Sequence, residues 1–429
     1  MTRLLGIELS EGIQRRHLVA YFCVAFISSS YAGALAMLQP GLLQVMGIDH
    51  GQQAVLTGNL SAMQEVILIA LLGFVGIVAD RYGRKPVYVF GLLATSAGFT
   101  LYPHATTISE LVIYRIIVAV GSAAMIGMMV TVIADYSRNS TRGKANGMQG
   151  VVATLGAFLP PLFGALPKLF VDQGYDELAA QQLTFAVAGS LGVLGAFIAL
   201  VGLAPHVKQT SSVTRESMMT MLKMGAKASR EPGIALSYGA AFISRGDLAV
   251  TGAFMSLWLV QFGIAERAME PSQAMFELAV PRVLAVVSGA LVGSILMGYI
   301  ADKVTRVTAV SMASGLAAAV YLSIFFVSDP TADWVMALLV VMGIAEISAF
   351  VSSQALVGER ADAARRGAII GLFGVAGAVG ILVGTAGGGW LFANIRPSAP
   401  FVLFGILNAA VFIWSLKVRR NEGAKAATA

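Results

Sequence analysis

Twelve stretches of predominantly apolar residues recur along this chain, each about 20 residues or longer. That is the length a helix needs to cross the hydrocarbon core of a bilayer. Their approximate limits are 17–45, 53–79, 86–105, 109–135, 145–170 and 181–204, then 233–262, 274–300, 307–328, 333–357, 367–393 and 398–418. A backbone in lipid must satisfy its own polar groups, so the expected fold class is an all-α polytopic membrane protein with twelve transmembrane helices. The composition agrees: of 429 residues, 57% are hydrophobic and 12% charged, against about 25% charged in soluble domains. The 47 glycines suit close helix–helix approach in lipid. The single Cys23 excludes an internal disulfide, and four scattered histidines offer no metal-ligand spacing. No metal or cofactor is expected, and no nucleic-acid partner either, because the basic residues behind the net charge of +6 sit in short loops, where they set topology. The first apolar run is too long for the core of a cleavable signal peptide.

The segment 205–232 is the one long polar connection. Within it Val213–Ala228 is amphipathic, with Lys and Arg on one side and Met on the other, which predicts a helix on the membrane surface. The expected organisation is a six-helix bundle over 1–204, a cytoplasmic central loop over 205–232 and a second six-helix bundle over 233–429. Placing the loop Gly76–Pro86 in the cytoplasm puts 23 of the 29 Lys and Arg residues on that side. Only Lys168, Arg267 and Arg396 fall opposite, and Arg115, Arg245 and Arg282 fall within spans. This bias predicts that both termini are cytoplasmic.

The loop Gly76-Ile-Val-Ala-Asp80-Arg81-Tyr-Gly83-Arg84-Lys85-Pro86 has an echo 222 residues later, Gly298-Tyr-Ile-Ala-Asp302-Lys303-Val-Thr-Arg306. An offset of 224 pairs Asp135 with Glu359 and Arg142 with Arg366. Charges repeated at fixed spacing predict two pseudo-symmetric halves, with a site at their interface near the bilayer midplane.

Gly76, Asp80, Arg81, Gly83, Arg84 and Lys85 resemble the loop 2–3 motif of the major facilitator superfamily. Arg115-Ile-Ile-Val-Ala-Val-Gly121 resembles that family's fourth-helix motif, with Val118 and Ala119 in place of Gln and Gly. Gly147, Gly156, Pro160, Pro161 and Gly164 resemble the fifth-helix motif of its drug:proton antiporter branch, with Pro160 and Ala165 in place of glycines. Pro161 also removes a helix hydrogen bond and predicts a kink. One departure stands in the first helix, where many drug antiporters carry an acid and this chain has Ser28-Ser29-Ser30-Tyr31. The resemblance implies a monomeric carrier, not an enzyme, whose two bundles rock about a central cavity. It implies proton-coupled efflux of a small organic solute, with protons as coupling ion, across a bacterial inner membrane.

The charges sort into two groups. Asp80/Asp302, Arg84/Arg306, Asp135/Glu359 and Arg142/Arg366 occur in both halves, at cytoplasmic helix ends. They are expected to form a symmetric gate, with Arg84 pairing Asp135 and Arg306 pairing Glu359; the alternative is that they only set topology. Glu65, Arg115, Arg245, Asp247, Arg282 and Glu346 occur in one half only, inside spans where a charge costs about 2.5–3.5 kcal/mol at the helix centre. At about 1.5 Å per residue, Glu65, Arg245, Asp247 and Glu346 lie roughly 18–22 Å from the cytoplasmic end, and Arg115 and Arg282 roughly 30 Å.

A buried carboxylate can load and release a proton, and Glu346, Asp247 and Glu65 are equal candidates. Arg245 is the expected contact to substrate or counter-ion; two residues from Asp247, it does not share that side chain's direction. Tyr31, Gln39, Ser28, Ser29, Ser30, Trp258 and Gln261 offer hydrogen bonds or stacking to a solute, although such residues also serve interhelical packing. Two other functions stay open. One is a symporter or facilitator for an organic anion, using Arg115, Arg245 and Arg282. The other is a non-transporting sensor or scaffold, which need not bear the cost of midplane charges.

Overall fold

The computed structural model describes residues 3–205, 218–362 and 365–428. Among them, 11 helices are long and apolar enough to cross a membrane. The third expected stretch forms α3 (Arg84–Leu101), which is not among the 11: it has 18 residues and opens on Arg84 and Lys85. The fold is therefore all-helical, apart from a short N-terminal hairpin.

In chain order the helices are α1 (Arg15–Val45), α2 (His50–Tyr82), α3, α4 (Ile108–Tyr136), α5 (Arg142–Gly156), α6 (Leu159–Asp172), α7 (Glu177–Gly202) and α8 (Met218–Ala228). They continue with α9 (Pro232–Arg267), α10 (Pro271–Ala274), α11 (Val280–Lys303), α12 (Arg306–Ser323), α13 (Asp333–Arg360), α14 (Arg366–Leu382), α15 (Gly388–Asn394) and α16 (Ala399–Thr428). Three spans are composite. In the fifth, α5 ends at Gly156 and α6 restarts at Leu159, with Pro160 and Pro161 in its first turn. Prolines lack the N–H that would continue α5, so the expected kink is a break. π-helical turns at Met275–Ala279 and Val383–Gly387 join α10 to α11 and α14 to α15.

Packing divides the chain into two compact units. The first holds Met1–Asp49, Met63–Ser211 and Gly263–Val280; the second holds His50–Ala62, Ser212–Phe262 and Pro281–Ala429. In the first, Tyr21, Tyr88, Phe99, Tyr102 and Phe185 are fully buried. A Cβ on Gly121 would stand 2.5 Å from the Thr95 backbone nitrogen, so only glycine lets α4 lie this close to α3. In the second unit, Phe254, Tyr321, Phe401 and Phe404 are fully buried. There a Cβ on Gly380 would stand 1.8 Å from the Phe242 carbonyl oxygen, which fixes the approach of α14 to α9. Large apolar side chains such as Phe197, Ile295 and Phe326 point outward, as a lipid-facing surface requires.

Two peripheral pieces bear on the loops. The N-terminus forms a hairpin, with β1 (Arg3–Leu4) antiparallel to β2 (Ile7–Glu8). It continues onto the α4–α5 connection through a Leu9–Ser137 bridge, and Ser10 N donates to Tyr136 O at 3.0 Å. Ile7, Leu9 and Ile13 are buried there. In the central connection, the stretch expected to be amphipathic is described from Met218 on, as α8, and its residues 213–217 lie outside the described residues. Gly225 of α8 packs against α14, where an added Cβ would stand 2.7 Å from Ala368 O.

Candidate functional site

The second unit buries two carboxyl groups on facing helices. Asp247 of α9 is 0% exposed and Glu346 of α13 is 2% exposed. Asp247 and Thr251 lie four residues apart and share one face of α9. Thr251 and Tyr321 both donate their hydroxyls to Oε1 of Glu346, and those hydroxyls stand 2.8 Å apart. Asp247 accepts from the Leu248 backbone amide at 2.7 Å and from Asn408 Nδ2 of α16 at 3.2 Å. Asn408 is itself oriented by donating to Phe404 O at 2.9 Å. All of these donors are neutral, and among the described residues neither carboxyl has a cationic partner.

Arg245 points elsewhere. It is half-buried, its guanidinium carbon stands 6.0 Å from the Phe350 ring centroid, and its Cδ occupies the space beside Gly377, where a Cβ would come within 2.2 Å. Gly246 stands between the two charges, and a Cβ there would meet Phe404 at 2.3 Å. The cation and the acid are thus sent to different helices, α14 and α16.

In the first unit, Arg115 is 5% exposed and donates to Gln39 Oε1 at 3.1 Å, an oxygen that also accepts from Tyr102 OH at 2.8 Å. Tyr31 donates to Ala188 O at 2.6 Å and packs edge-on against Phe99, so its hydroxyl ties α1 to α7. Ser28 bonds Tyr88 OH at 3.0 Å, while Ser29 and Ser30 bond carbonyls of their own helix. Glu65 is half-buried in α2. Arg282 donates Nε to Pro330 O at 3.0 Å and Nη2 to Thr331 O at 2.7 Å, which anchors the α12–α13 connection. Trp258 packs at 6.1 Å from Phe401, and Gln261 donates to Gln53 Oε1 at 3.0 Å.

The repeated charges make two similar clusters, one in each unit. Arg84 Nε lies 3.1 Å from Asp135 Oδ2 and its Nη1 2.5 Å from Asp80 Oδ1. Arg306 Nε lies 3.3 Å from Glu359 Oε2 and its Nη1 3.3 Å from Asp302 Oδ1. Each arginine opens a helix and bridges two acids at the ends of neighbouring helices. Gly83, with φ +99°, makes the turn into α3, a conformation that favours glycine. Gly76 has open space around its Cα. Arg142 donates to Ala134 O at 3.2 Å, and Arg366 is exposed at the start of α14. Of the helix-5 glycines, Gly156 and Gly164 lie against α1, where a Cβ would meet Phe26 O at 2.6 Å and Met37 Cε at 2.4 Å; Gly147 has nothing within 4 Å.

Sequence reasoning missed several members of these clusters. Thr251 had a signal, standing one turn from Asp247. Tyr321 and Asn408 are uncharged, so nothing local marks them. Arg360 was also missed: it bonds Glu422 Oε1 at 2.8 Å and Glu231 Oε1 at 3.3 Å, joining α13 to the end of α16 and to the start of α9.

A family model described as the Major Facilitator Superfamily matches residues 18–288 and 237–429. The magnetosome protein MamH of Paramagnetospirillum magneticum is 24% identical over 422 residues, covering 95% of this chain and 92% of that protein. Multidrug resistance protein 3 of Bacillus subtilis is 36% identical over 106 residues, only 25% of this chain and 21% of that protein. The crystal structure of the nucleoside transporter NupG superposes with a TM-score of 0.72 at 14% identity, covering 94% of this chain and 99% of that one. This chain belongs to the Major Facilitator Superfamily.

Proposed function

We propose that this chain is a secondary active transporter that couples movement of a small organic solute to protons, with Glu346 and Asp247 as the proton-carrying pair. One observation carries the reading: two buried carboxyl groups, in one cluster, are held by neutral donors alone. A permanently charged pair of acids in the membrane interior costs several kcal/mol, and binding a proton removes part of that cost. Arg245, half-buried two residues from Asp247 but directed at α14, is the proposed solute or counter-ion contact. Arg84 and Arg306, each bridging two acids, are the proposed cytoplasmic gates, whose pairs exchange as the carrier changes state. Efflux by antiport is the favoured direction. It draws support from the partial likeness to multidrug resistance protein 3 and from the Gly156–Gly164 packing against α1.

The test is flux in proteoliposomes carrying a pH-sensitive dye. Candidate solutes come from a thermal-shift screen, since a ligand that binds the folded state raises its melting temperature. An antiporter moves protons against its solute, a symporter moves them with it, and a facilitator ignores an imposed proton gradient. Solute flux without proton movement removes the coupling role of Glu346 and Asp247. Absence of any solute flux favours the sensor reading.

A second reading concerns location. The inner membrane with both termini cytoplasmic is the proposal, yet the full-length likeness to MamH, a magnetosome protein, favours a magnetosome-type membrane. Fractionation of cells expressing a tagged chain separates the two.

A further inference from the structure

Residues near the C-terminal end of α2, together with α3 and α4, line an apolar groove of about 440 Å³. Leu71, Phe74, Val78 and Tyr82 of α2, Pro86 and Phe90 of α3, and Val120 of α4 line it. The volume falls in the range of ligand pockets, roughly 300–1,000 Å³. From Leu71 to Tyr82 the groove runs along three turns of α2, about 16 Å. One leaflet contributes about 15 Å of hydrocarbon, half of a core about 30 Å thick. The groove therefore has the length of one leaflet's acyl chain.

A cation adjoins the groove at its Tyr82 end. Arg81 lies three residues after Val78 and seven after Phe74, so it shares their face of α2. It is exposed, and its guanidinium stands 5.5 Å over the ring of Tyr82, itself a lining residue 64% exposed. Its neighbour Arg84 is held by Asp80 and Asp135, whereas Arg81 has no carboxylate partner among the described residues. A free cation at the headgroup end of a chain-length apolar groove is complementary to an anionic amphiphile.

We propose that this groove binds one acyl chain of an anionic phospholipid from the adjoining leaflet, with the headgroup phosphate held at Arg81. The lipid then fills the space between α2 and α4 and balances the uncompensated charge of the loop. Phosphatidylcholine offers the chain without net negative charge, and glycerol phosphate offers the charge without the chain. The site requires both.

The test is native mass spectrometry of the purified full chain in detergent, with equimolar dioleoylphosphatidylglycerol and dioleoylphosphatidylcholine. Retention of phosphatidylglycerol should exceed that of phosphatidylcholine by about fivefold, the effect of one basic residue at a membrane surface, and Arg81→Gln should erase the preference. Val78→Trp and Val120→Trp, on α2 and α4, should each lower retention of both lipids while the circular-dichroism melt stays cooperative. A photoreactive acyl chain on phosphatidylglycerol should cross-link to residues 71–90. Equal retention of the two lipids, an unchanged preference in Arg81→Gln, or full competition by glycerol phosphate would overturn the proposal. Cross-links confined to other helices, or joining two copies of the chain through α2, would also overturn it.

Discussion

Thr251 donates its hydroxyl to Oε1 of Glu346, and that bond ties α9 to α13 inside the second unit. Tyr321 donates to the same oxygen, and the two hydroxyls lie 2.8 Å apart. The three groups therefore act as a network, in which removing one donor leaves the other to reorganise.

A double-mutant cycle measures that network. Thr251→Val and Tyr321→Phe each remove one donor without opening a large cavity. Single interhelical hydrogen bonds in membranes average about 0.6 kcal/mol and reach about 1.7. The combined loss in thermal stability should differ from the sum of the single losses, as expected for residues sharing a partner.

Glu346→Gln keeps the shape of the side chain but cannot release a proton. Solute-driven proton movement in proteoliposomes should fall at least about tenfold, equivalent to about 1.4 kcal/mol. Exchange of labelled for unlabelled solute should persist, because that cycle needs no net proton transfer. Loss of both activities, with folding intact, would place Glu346 in solute binding instead.

Arg84→Ala removes the residue that bridges Asp80 and Asp135. Partly exposed ion pairs contribute about 1 kcal/mol or less to stability, so expression and melting temperature should change little. If the cluster is a gate, net transport should fall by about fivefold or more, the lower end of typical conformational coupling. Arg306→Ala should behave alike, since it bridges Asp302 and Glu359 in the same way.

The glycines of α14 are not equivalent. Gly380→Ala would bring a methyl group to 1.8 Å from the Phe242 carbonyl oxygen, whereas Gly371 has nothing within 4 Å. The first change should cost about 1–3 kcal/mol by overpacking. Gly371→Ala should be neutral, or stabilising by up to about 1 kcal/mol through helix propensity. Thermal denaturation in detergent distinguishes them.

The N-terminal hairpin should respond to pH. Glu8 accepts from Ser140 Oγ at 2.9 Å and pairs with Arg3. The Ser140 hydrogen bond, with that of Arg3 behind it, holds the Glu8 carboxyl below its ordinary range. Its contribution is therefore fully present above the ordinary carboxylate range and is lost as pH falls through the lowered value. Protection factors of the Glu8, Ser10 and Arg138 amides, taken relative to the intrinsic exchange rate at each pH, should be high at neutral pH and fall in acid, and Glu8→Gln should remove that fall.

Spans, loops and repeat were legible because their causes are local. About 20 apolar residues mark a membrane helix wherever they occur, and a charge within them carries a cost visible without any partner. Asp247 and Glu346 could be marked as candidates on that ground alone, on an equal footing with Glu65. Spacing on α9 also showed that Arg245 and Asp247 point in different directions. Only the tertiary structure decided what each group meets. Asn408 and Tyr321 lie 161 and 25 residues from the acids they serve, and as neutral side chains they leave no signature of burial. Arg282 and Tyr31 look in sequence like solute contacts, but packing aims them at backbone carbonyls of the α12–α13 connection and of α7. Hydrophobicity and charge are properties of one residue, and so could be read in order along the chain. A hydrogen-bond partner is a property of two residues, and only packing brings them together.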